Sequence, residues 1–593
     1  MISKGITHNR FFMATLEEQR HTLAHLLAAA VLELYPHAKP TIGPAIETGF
    51  YYDIDFTGGD APGDDMLPKI EKAMRKLLPS WKEFTHREVT PEEAREFFAG
   101  NPFKLELIDE LALKGEVITL YTCGTFTDLC RGGHAENPAK EIPLDSFMLD
   151  KVAGAYWRGD ETKPMLSRIY GLAFQDNAAL SAYQAQLQEA KERDHRKLGK
   201  ELDLFTFSEL VGSGLPLWTT RGTHIRHMLD RYIWELREKH GYERVTIPHL
   251  TKKDLYETSG HWEKFADELF RITTREGKEY ALKPMNCPHH TQIFDRKPHS
   301  YREMPQRYAE TTMVYRDEQS GELGGLTRVL SITQDDSHVF CRHNQVKEEF
   351  FHIWDIVDTF YGTFGFKLRV RLSFHEPSEM EKYLGTPDVW QQAEDALREI
   401  AKERNADYFE APGEAAMYGP KLDFMAKDSI GREHQVATIQ LDMNLPERFD
   451  LTCINEKGEK ERVVMIHCAI MGSIERFTAV LIEHIGGNFP LWLAPEQIRV
   501  IPVAEAHHAY AQEVHQALTA RGIRAILDGS SDSLGKRIRS AKQARLPYFI
   551  VIGDKEVAAK NVTLESRDGT SVQLGRDELT TRLTQEITAR AHT

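Results

Sequence analysis

The chain has 593 residues, of which 41% are hydrophobic and 28% charged, so it is too long for one hydrophobic core and has the composition of a globular protein with several domains. Its 74 Lys and Arg against 90 Asp and Glu give a net charge of -16, which argues against a protein whose whole surface binds nucleic acid. No uncharged apolar run reaches the roughly 18 residues of a membrane span. Six cysteines are too few for a disulfide scaffold, and we therefore expect a cytoplasmic enzyme.

The N-terminal part of the chain alternates short apolar runs with turns. Its opening segment, MISKGITHNRFFMATLEEQR, is charged early and has no apolar stretch before a cleavage site, so we expect no signal peptide. A helix-like run, HTLAHLLAAAVLELYP, is followed by the strand-like runs GFYYDIDF and EVITLYT. This pattern predicts a compact α+β domain over residues 1–176 and a linker helix over 177–204, where apolar residues recur at helical spacing.

The remaining chain divides into two patterns. Residues 205–493 contain near-alternating runs such as RYAETTMVYR and KLRVRLSF, which predict neighbouring antiparallel strands. Residues 494–593 alternate apolar strands with helical stretches, which predicts a small α/β domain with parallel strands. A basic cluster in this last part is either a solvated helix face or a nucleic-acid contact; its members are Lys536, Arg537, Arg539, Lys542 and Arg545.

Two pairs of potential ligands lie in the predicted N-terminal domain. His21 and His25 are four residues apart, so a helix would place both imidazoles on one face. The glutamate of an HExxH motif is missing, which disfavours a zinc protease. Cys130 and His134 have the same spacing and lie beside Asp128. Four nitrogen and sulfur groups could hold zinc or could surround a hydrolytic site without a metal.

A second set of potential ligands lies in the large central block. Cys287 stands in KPMNCPHH, His338 in TQDDSHVF and His467 in VMIHCAIMGS. Their wide separation matches no local zinc-finger spacing. Three protein ligands with an open fourth position would make a catalytic rather than a structural metal site.

Three arginines stand in apolar surroundings where a solvated role is not obvious: Arg316 in MVYRDE, Arg328 in GGLTRVL and Arg476 in GSIERF. A guanidinium suits phosphate oxygens well, although a structural ion pair with Glu318 or Glu475 is the alternative. The chain has no GxxxxGK[ST] loop and no GxGxxG motif after a strand, so another scaffold must hold any nucleotide.

At these residues the chain resembles the threonyl-tRNA synthetases, a family of class II aminoacyl-tRNA synthetases. The HxxxH and CxxxH pairs resemble the family's editing domain, and RDHRKLGKELDLF resembles its linker. The catalytic motifs are matched by KPMNCP, the segments from YRDE to TRVLSITQDDSH and from MYGPKLDF to ATIQLD, and MIHCAIMGSIERF. The resemblance implies a class II antiparallel sheet with flanking helices, an N-terminal α+β editing domain and a C-terminal α/β anticodon-binding domain.

The resemblance also implies the reaction. ATP and L-threonine would give threonyl-adenylate, and the threonyl group would pass to the 3′ end of tRNA(Thr), with Mg²⁺ accompanying ATP. Arg316 would contact the α-phosphate, Glu318 and Arg328 would flank the nucleotide, and Arg476 would hold the γ-phosphate. Pro248 matches the first class motif, which implies a homodimer.

The resemblance further implies one Zn²⁺ per subunit, held by Cys287, His338 and His467, at which threonine would bind through its amino and hydroxyl groups. Valine lacks the hydroxyl and would be rejected, whereas serine lacks only a methyl group, worth roughly 1–3 kcal/mol or about 10- to 200-fold. A second selection step is therefore required. The implied substrate-binding residues are Met285, Gln334, Asp336, Tyr418, Lys421, Gln435 and Gln440.

The N-terminal pocket would supply that second step by hydrolysing seryl-tRNA(Thr) without a bound zinc ion. The implied editing residues are His21, His25, Tyr52, Lys104, Asp128, Cys130 and His134. In the C-terminal domain the implied anticodon contacts are Lys555, Glu556 and Arg567.

The chain departs from the family's usual pattern at several points. We expect it to lack the small N-terminal ubiquitin-like domain. Single residues that differ from the usual ones are His289, Tyr315, Asp317, Cys468 and Glu565. The alternative function is that of a paralogue which binds or deacylates tRNA without activating threonine, and we expect such a protein to have lost part of the arginine and zinc-ligand sets.

Overall fold

The computed structural model describes residues 14–57 and 59–591. The expectations about a signal peptide and an N-terminal ubiquitin-like domain concern the opening segment and lie outside these residues. The chain forms two compact units, Met1–Gln188 and Glu189–Thr593.

The first unit combines helices with two antiparallel sheets, as the α+β prediction requires. Strands β1, β3, β8 and β7 are neighbours in that order, with β2 on β3, and β4, β5 and β6 form the second sheet. The helices are α1 Leu16–Leu34, α2 Leu67–Leu77, α3 Pro91–Phe97, α4 Pro102–Lys114, α5 Pro138–Glu141 and α6 Asn177–Arg193. The strands are β1 Lys39–Pro40, β2 Ala45–Ile46, β3 Gly49–Asp55, β4 Thr85–Val89, β5 Ile118–Cys123, β6 Phe126–Leu129, β7 Phe147–Tyr156 and β8 Met165–Ala173.

Helix α1 begins at a capping box in which Thr15 and Glu18 satisfy each other's backbone N–H groups. Its apolar side is fully buried in the core that also contains Phe50 and Ile54 of β3. Packing of this side against the sheet fixes the rotation of the helix, and with it the direction in which His21 and His25 point.

The second unit contains an eight-stranded sheet in the order β11-β16-β17-β24-β21-β20-β18-β19. Its central pairs are antiparallel, as predicted, whereas the two edge pairs β11–β16 and β18–β19 are parallel. The helices of this part are α7 His195–Glu201, α8 Thr220–Lys239, α9 Lys253–Ser259, α10 His261–Lys264, α11 Cys287–Asp295, α12 Val346–Gly362, α13 Pro387–Glu403, α14 Asn444–Arg448 and α15 Ile474–Ile485. The strands are β9 Phe205–Thr206, β10 Leu217–Trp218, β11 Glu243–Arg244, β12 Leu250–Lys252, β13 Arg271–Thr273, β14 Glu279–Leu282, β15 His299–Ser300, β16 Gln306–Tyr315, β17 Ser331–Cys341, β18 Lys367–Phe374, β19 Tyr408–Pro412, β20 Lys421–Lys427, β21 Glu433–Asp442, β22 Thr452–Ile454, β23 Lys460–Arg462 and β24 Val464–Ala469.

The two faces of this large sheet differ in polarity because side chains alternate along each strand. One face packs against α8, α12 and α15 and contributes Val339, Ile466 and Ile439 to the largest core. On the other face His338, His467 and Gln440 lie side by side on β17, β24 and β21. The sheet therefore presents a polar floor on which a site can be built.

The C-terminal part of the second unit contains a five-stranded sheet in the order β26-β25-β27-β28-β29. The predicted parallel pairing holds for the first three strands, but β28 and β29 are antiparallel. The connection from β27 to β28 holds one short helix, and a parallel crossover needs about a dozen residues or more. The elements are β25 Ile498–Pro502, α16 His508–Ala520, β26 Ala525–Leu527, α17 Leu534–Gln543, β27 Tyr548–Ile552, α18 Asp554–Ala559, β28 Asn561–Ser566, β29 Ser571–Gly575 and α19 Arg576–Ala589. No helix in residues 14–57 and 59–591 is both long and apolar enough to cross a bilayer.

Candidate active site

The structure brings together the three potential ligands of the central block. Cys287 is the first residue of α11, His338 lies on β17 and His467 on β24. All three are buried, and one nitrogen or sulfur atom from each lies within 4.8 Å of the others. Residues far apart in the sequence thus form a compact cluster because β17 and β24 are hydrogen-bonded neighbours.

The protonation of the two histidines in this cluster follows from their other contacts. His467 Nε2 lies 2.9 Å from Asp442 Oδ2, and a carboxylate only accepts, so Nε2 carries the proton and Nδ1 has a free lone pair. That Nδ1 lies 3.1 Å from His338 Nε2, while His338 Nδ1 lies 2.7 Å from His290 Nδ1. Burial lowers the pKa of His338 well below its ordinary value and keeps the ring neutral.

This arrangement fits a zinc ion. Zn–N bonds of roughly 2.0–2.1 Å in a tetrahedron place two nitrogens about 3.3 Å apart, close to the 3.1 Å between His338 Nε2 and His467 Nδ1. One thiolate and two neutral imidazoles are typical ligands of catalytic zinc, and Asp442 supplies the outer hydrogen bond that such a histidine usually makes.

The pocket beside this cluster contains several of the predicted substrate-binding residues. Asp336 Oδ2 accepts a hydrogen bond of 3.0 Å from Asn286, and Asp336 Oδ1 lies 3.9 Å from His338 Nε2. The ring of Tyr418 lies 4.8 Å from that of His467, and its hydroxyl is 3.9 Å from the sulfur of Met285. The pocket therefore combines a carboxylate with an aromatic and a thioether wall.

The other four predicted substrate-binding residues spread across the same floor. Gln334 lies two residues before Asp336 on β17, and Gln440 pairs with His467 in the sheet. Lys421 pairs with Gln440 and lies 3.6 Å from a carboxylate oxygen of Asp423. Gln435, beyond a β-bulge, donates to Asp423 at 2.9 Å and accepts from Arg371 at 2.7 Å, so its side chain belongs to an adjacent polar network.

The predicted phosphate-binding residues of the second class motif lie at the two ends of the loop between β16 and β17. Arg328 forms ion pairs with Glu318 at 2.8 Å and Glu322 at 3.1 Å. Arg316 lies 3.9 Å from Glu268 and above the ring of Phe265. The loop thus carries two guanidinium groups, each of which has a carboxylate within ion-pair distance.

Arg476 differs from these two because its charge is not paired. It lies in the first turn of α15, is exposed, and has no carboxylate within ion-pair distance in the part of the chain that the structure describes. Partial enclosure by protein and the nearby Arg328 lower its pKa. An unpaired guanidinium beside a second one favours binding of an anion such as a phosphate group.

Three of the residues that differ from the family's usual pattern have clear structural positions. Cys468 follows His467 on β24 and therefore points to the opposite face, where it is buried in the apolar core. His289 is buried and hydrogen-bonds to Thr251. Tyr315 contacts His249 at 3.0 Å.

The four potential ligands of the N-terminal unit also form one cluster. Helix α1 carries His21 and His25, whose Nε2 atoms are 3.3 Å apart. The sulfur of Cys130 lies 3.5 Å from His21 Nε2 and 3.3 Å from His134 Nε2. The loop that follows β6 and contains Cys130 and His134 turns back toward α1 through two glycines with positive φ. The carbonyl of the second, Gly133, accepts a hydrogen bond from His21 Nδ1 at 3.2 Å.

A buried polar group completes this pocket. Asp128 accepts hydrogen bonds from Tyr52 and, at 2.5 Å, from Lys104, and it lies 3.7 Å from His25 Nδ1. Burial lowers the pKa of His134 to about 2 and that of His25 well below its ordinary value, and it raises the pKa of Cys130 to about 11. The pocket therefore holds neutral imidazoles next to a charged network, which is suited to orienting water and moving protons.

Sequence reasoning missed three residues of these two sites. Asp442 lies 2.9 Å from His467 and His290 lies 2.7 Å from His338, so both orient histidines of the central cluster, and Phe84 stacks on His134 with ring centres 4.1 Å apart. The only signals were an acidic residue at the end of ATIQLD and a second histidine in NCPHH.

The side chains of the three predicted anticodon contacts differ in whether they are free to bind RNA. Lys555 is exposed at the start of α18. Glu556 accepts hydrogen bonds from Thr563 and from the backbone of Gly553, and Arg567 donates to the carbonyl of Phe489. Two of the three side chains are therefore engaged within the protein.

An antiparallel sheet with basic side chains on the loop between two central strands and on the helix that follows a third is the arrangement of a class II aminoacyl-tRNA synthetase. The family model of the class II tRNA synthetase core domain (G, H, P, S and T) matches residues 270–485, and that of the anticodon binding domain matches residues 497–586.

Three similar proteins indicate for which amino acid a synthetase of this sequence is specific. The chain is 48% identical to the threonine–tRNA ligase of Porphyromonas gingivalis over 552 residues, covering 92% of this chain and 84% of that protein. It is 45% identical to the threonine–tRNA ligase of Staphylococcus aureus over 583 residues, covering 97% and 89%. The crystal structure of the RNA binding domain of threonyl-tRNA synthetase from Cryptosporidium parvum superposes with a TM-score of 0.63 at 38% identity, covering 66% of this chain and 98% of that one. The chain belongs to the threonine–tRNA ligase family.

Proposed function

We propose that this chain is a threonine–tRNA ligase that forms threonyl-adenylate from L-threonine and ATP, transfers threonine to the 3′ end of tRNA(Thr), and hydrolyses seryl-tRNA(Thr). The observation that carries this proposal is the position of the Cys287–His338–His467 cluster beside Asp336 on the polar face of the catalytic sheet. Such a site can recognise an amino acid by a β-hydroxyl group.

Activation would depend on positioning and charge. Arg316 would contact the α-phosphate and Arg476 the γ-phosphate, with Glu318 and Arg328 flanking the nucleotide between them. Mg²⁺ bound with ATP would neutralise further phosphate charge. The protein forms no covalent intermediate in this scheme, because in-line attack of the threonine carboxylate needs alignment and stabilisation of the developing charge.

Selection of the amino acid would depend on the buried cluster. Cys287, His338 and His467 would hold Zn²⁺, which supplies a Lewis-acid position for the amino and hydroxyl groups of threonine. Asp336 would accept the hydroxyl proton as a hydrogen bond, and the walls formed by Met285 and Tyr418 would enclose the methyl group. The remaining polar side chains of the floor would hold the rest of the substrate; they are Gln334, Lys421, Gln435 and Gln440.

The N-terminal pocket would remove serine attached in error. The neutral histidines and Lys104 would orient water toward the ester, and Tyr52 and Asp128 would hold Lys104 in place. The extra methyl group of threonine would not fit, so the correct product would survive. This division follows from the small energetic difference between serine and threonine at the first site.

The remaining parts of the proposal concern assembly and tRNA binding. Exposed Pro248 would lie at a homodimer interface in the cytoplasm. The C-terminal domain would bind the anticodon, with Lys555 as the exposed contact and Glu556 and Arg567 shaping its surroundings.

The proposal is tested by amino-acid-dependent exchange of labelled pyrophosphate into ATP with threonine, serine and valine, together with zinc content per chain. We expect strong exchange with threonine, weak exchange with serine, negligible exchange with valine and about one zinc per chain. A folded, zinc-loaded protein without exchange would instead support the paralogue that acts only on charged tRNA, and hydrolysis of seryl-tRNA would then be measured.

A further inference from the structure

One buried histidine outside the catalytic sheet connects two parts of the nucleotide site. His195 is the first residue of α7, in the segment between the predicted N-terminal and catalytic domains, and is 5% exposed. Its Nε2 lies 3.1 Å from the backbone nitrogen of Leu326, in the loop between β16 and β17. Its Nδ1 lies 2.6 Å from Oε1 of Glu483, on α15. The loop carries Arg328 and the helix carries Arg476.

The contacts of His195 use both ring nitrogens of a neutral imidazole. A backbone N–H only donates, so Nε2 accepts, and Nδ1 carries the proton that it donates to Glu483. Glu483 also accepts from the backbone of His195 at 3.1 Å, and its other oxygen accepts from Arg432. Asp194, His195 and Glu483 lie close enough together to hold a metal ion. Their ligand atoms already have partners within the protein, however, and Asp194 caps α7, so we assign this cluster a structural role.

The loop fits closely against this histidine. Gly325 has a φ of +55°, and a Cβ atom at this position would lie 2.3 Å from His195 Nε2. Any residue larger than glycine would therefore push the loop away from the ring. Leu326, the next residue, is completely buried.

The middle of the loop makes few hydrogen bonds to the rest of the protein. Within the part of the chain that the structure describes, residues 318–329 make one hydrogen bond to groups outside the loop, from Leu326 to His195. A cavity of about 610 Å³ borders the loop at Leu323 and Gly325 and separates it from Phe207 and Lys200. Arg328 thus lies between two points at which the loop is anchored: the Leu326–His195 hydrogen bond, and the hydrogen bond of 2.9 Å that the backbone of Leu330 donates to Gly214.

We infer that His195 is a positioning residue for ATP: it fixes the loop of Arg328 relative to the helix of Arg476, and so sets the spacing of the two guanidinium groups across the nucleotide. This inference rests on the proposed function. It concerns the nucleotide alone, because His195 hydrogen-bonds to Leu326 and Glu483 and to none of the residues proposed to bind threonine. A misplacement of about 1 Å by a distant substitution can lower a rate by roughly 100-fold.

Two substitutions at this position separate its two hydrogen bonds. In His195→Asn the amide nitrogen can still donate to Glu483, but the side chain is too short to accept from Leu326. In His195→Gln the longer side chain can reach Leu326 with an acceptor. We expect His195→Asn to raise the KM for ATP about tenfold in pyrophosphate exchange, with the KM for threonine and the zinc content unchanged. His195→Gln is expected to lie closer to the parent protein.

Lys197→Ala provides the matched control because Lys197 is exposed on the same helix. Gly325→Ala perturbs the contact from the loop side and decides the question if His195→Asn does not fold; it is expected to raise the KM for ATP selectively as well. The inference would be overturned if His195→Asn and Gly325→Ala had the same KM for ATP as the parent protein. It would also be overturned if the KM for ATP and the KM for threonine rose together in these variants. A parent protein without threonine-dependent exchange would instead refute the proposed function.

Discussion

The clearest prediction about the proposed zinc site of Cys287, His338 and His467 concerns Asp442. It is completely buried, and its Oδ2 accepts the Nε2 proton of His467 at 2.9 Å. In Asp442→Asn an amide nitrogen facing His467 would force the ring to accept at Nε2 and carry its proton on Nδ1, the atom that must bind the metal. If the amide oxygen faces His467 instead, the amide nitrogen meets the backbone N–H groups of Asn444 and Leu445, which the carboxylate now accepts at 2.7 and 3.0 Å.

The size of the effect follows from the bond that is lost. A hydrogen bond to a charged group contributes roughly 1.5–3 kcal/mol. At about 1.4 kcal/mol for each factor of ten, the zinc affinity should fall by roughly 10- to 150-fold. Loss of an outer hydrogen bond to a metal-bound histidine typically costs about 10- to 100-fold, which agrees.

The measurement is zinc retained per chain against a graded series of chelator concentrations at neutral pH, with thermal unfolding as the check on folding. Asp450→Asn is the matched control, because it makes the same chemical change at an exposed carboxylate that pairs with Arg462. A folded Asp442→Asn protein that retains zinc as tightly as the Asp450→Asn control would refute the assigned protonation of His467.

Three further predictions concern the two sites. Cys287→Ser should release zinc and abolish threonine-dependent exchange while seryl-tRNA hydrolysis continues; loss of both activities in a folded protein would contradict two separate sites. Replacing His21 and His25 by Ala should leave threonine charging unchanged and let seryl-tRNA accumulate in a serine charging assay, and an unchanged serine level would rule out the editing role. Because the folded pKa of His134 is about 2 and the ordinary value is 6.5, unfolded chains bind protons below pH 6.5 that folded chains do not. The free energy of unfolding of the N-terminal unit should therefore fall as pH drops from 6.5 to 5. His134→Asn should reduce this dependence in unfolding titrations, while His25, whose pKa is also lowered, maintains the rest of it.

The sequence carried more information about the reactive residues than about the residues that orient them by hydrogen bonds. The wide spacing of Cys287, His338 and His467 said little, but the segments that contain them resemble the family's motifs, and that resemblance predicted one cluster. Asp442 and His290 act only through hydrogen bonds to those ligands, and no local spacing marks a residue that orients another across a sheet. Their roles become apparent only when strand register places them beside the ligands.

The same limit applies to topology. Alternating apolar patterns predicted strands, and the antiparallel pairing of the central strands of the large sheet is confirmed. The pattern could not distinguish β28, whose direction is set by the short connection that precedes it rather than by its own residues.

Strand β24 places a reactive histidine and an inert cysteine next to each other in the chain and on opposite sides of the sheet. A single inserted or deleted residue between β24's first residue and His467 would exchange these two surroundings, sending an imidazole into hydrocarbon and a thiol into the pocket. We therefore expect such a one-residue register shift in β24 to remove metal binding, although Cys287, His338 and His467 would all still be present in the sequence. The chemistry of this site therefore depends on which face of the sheet each position of β24 points to, as well as on the identity of its residues.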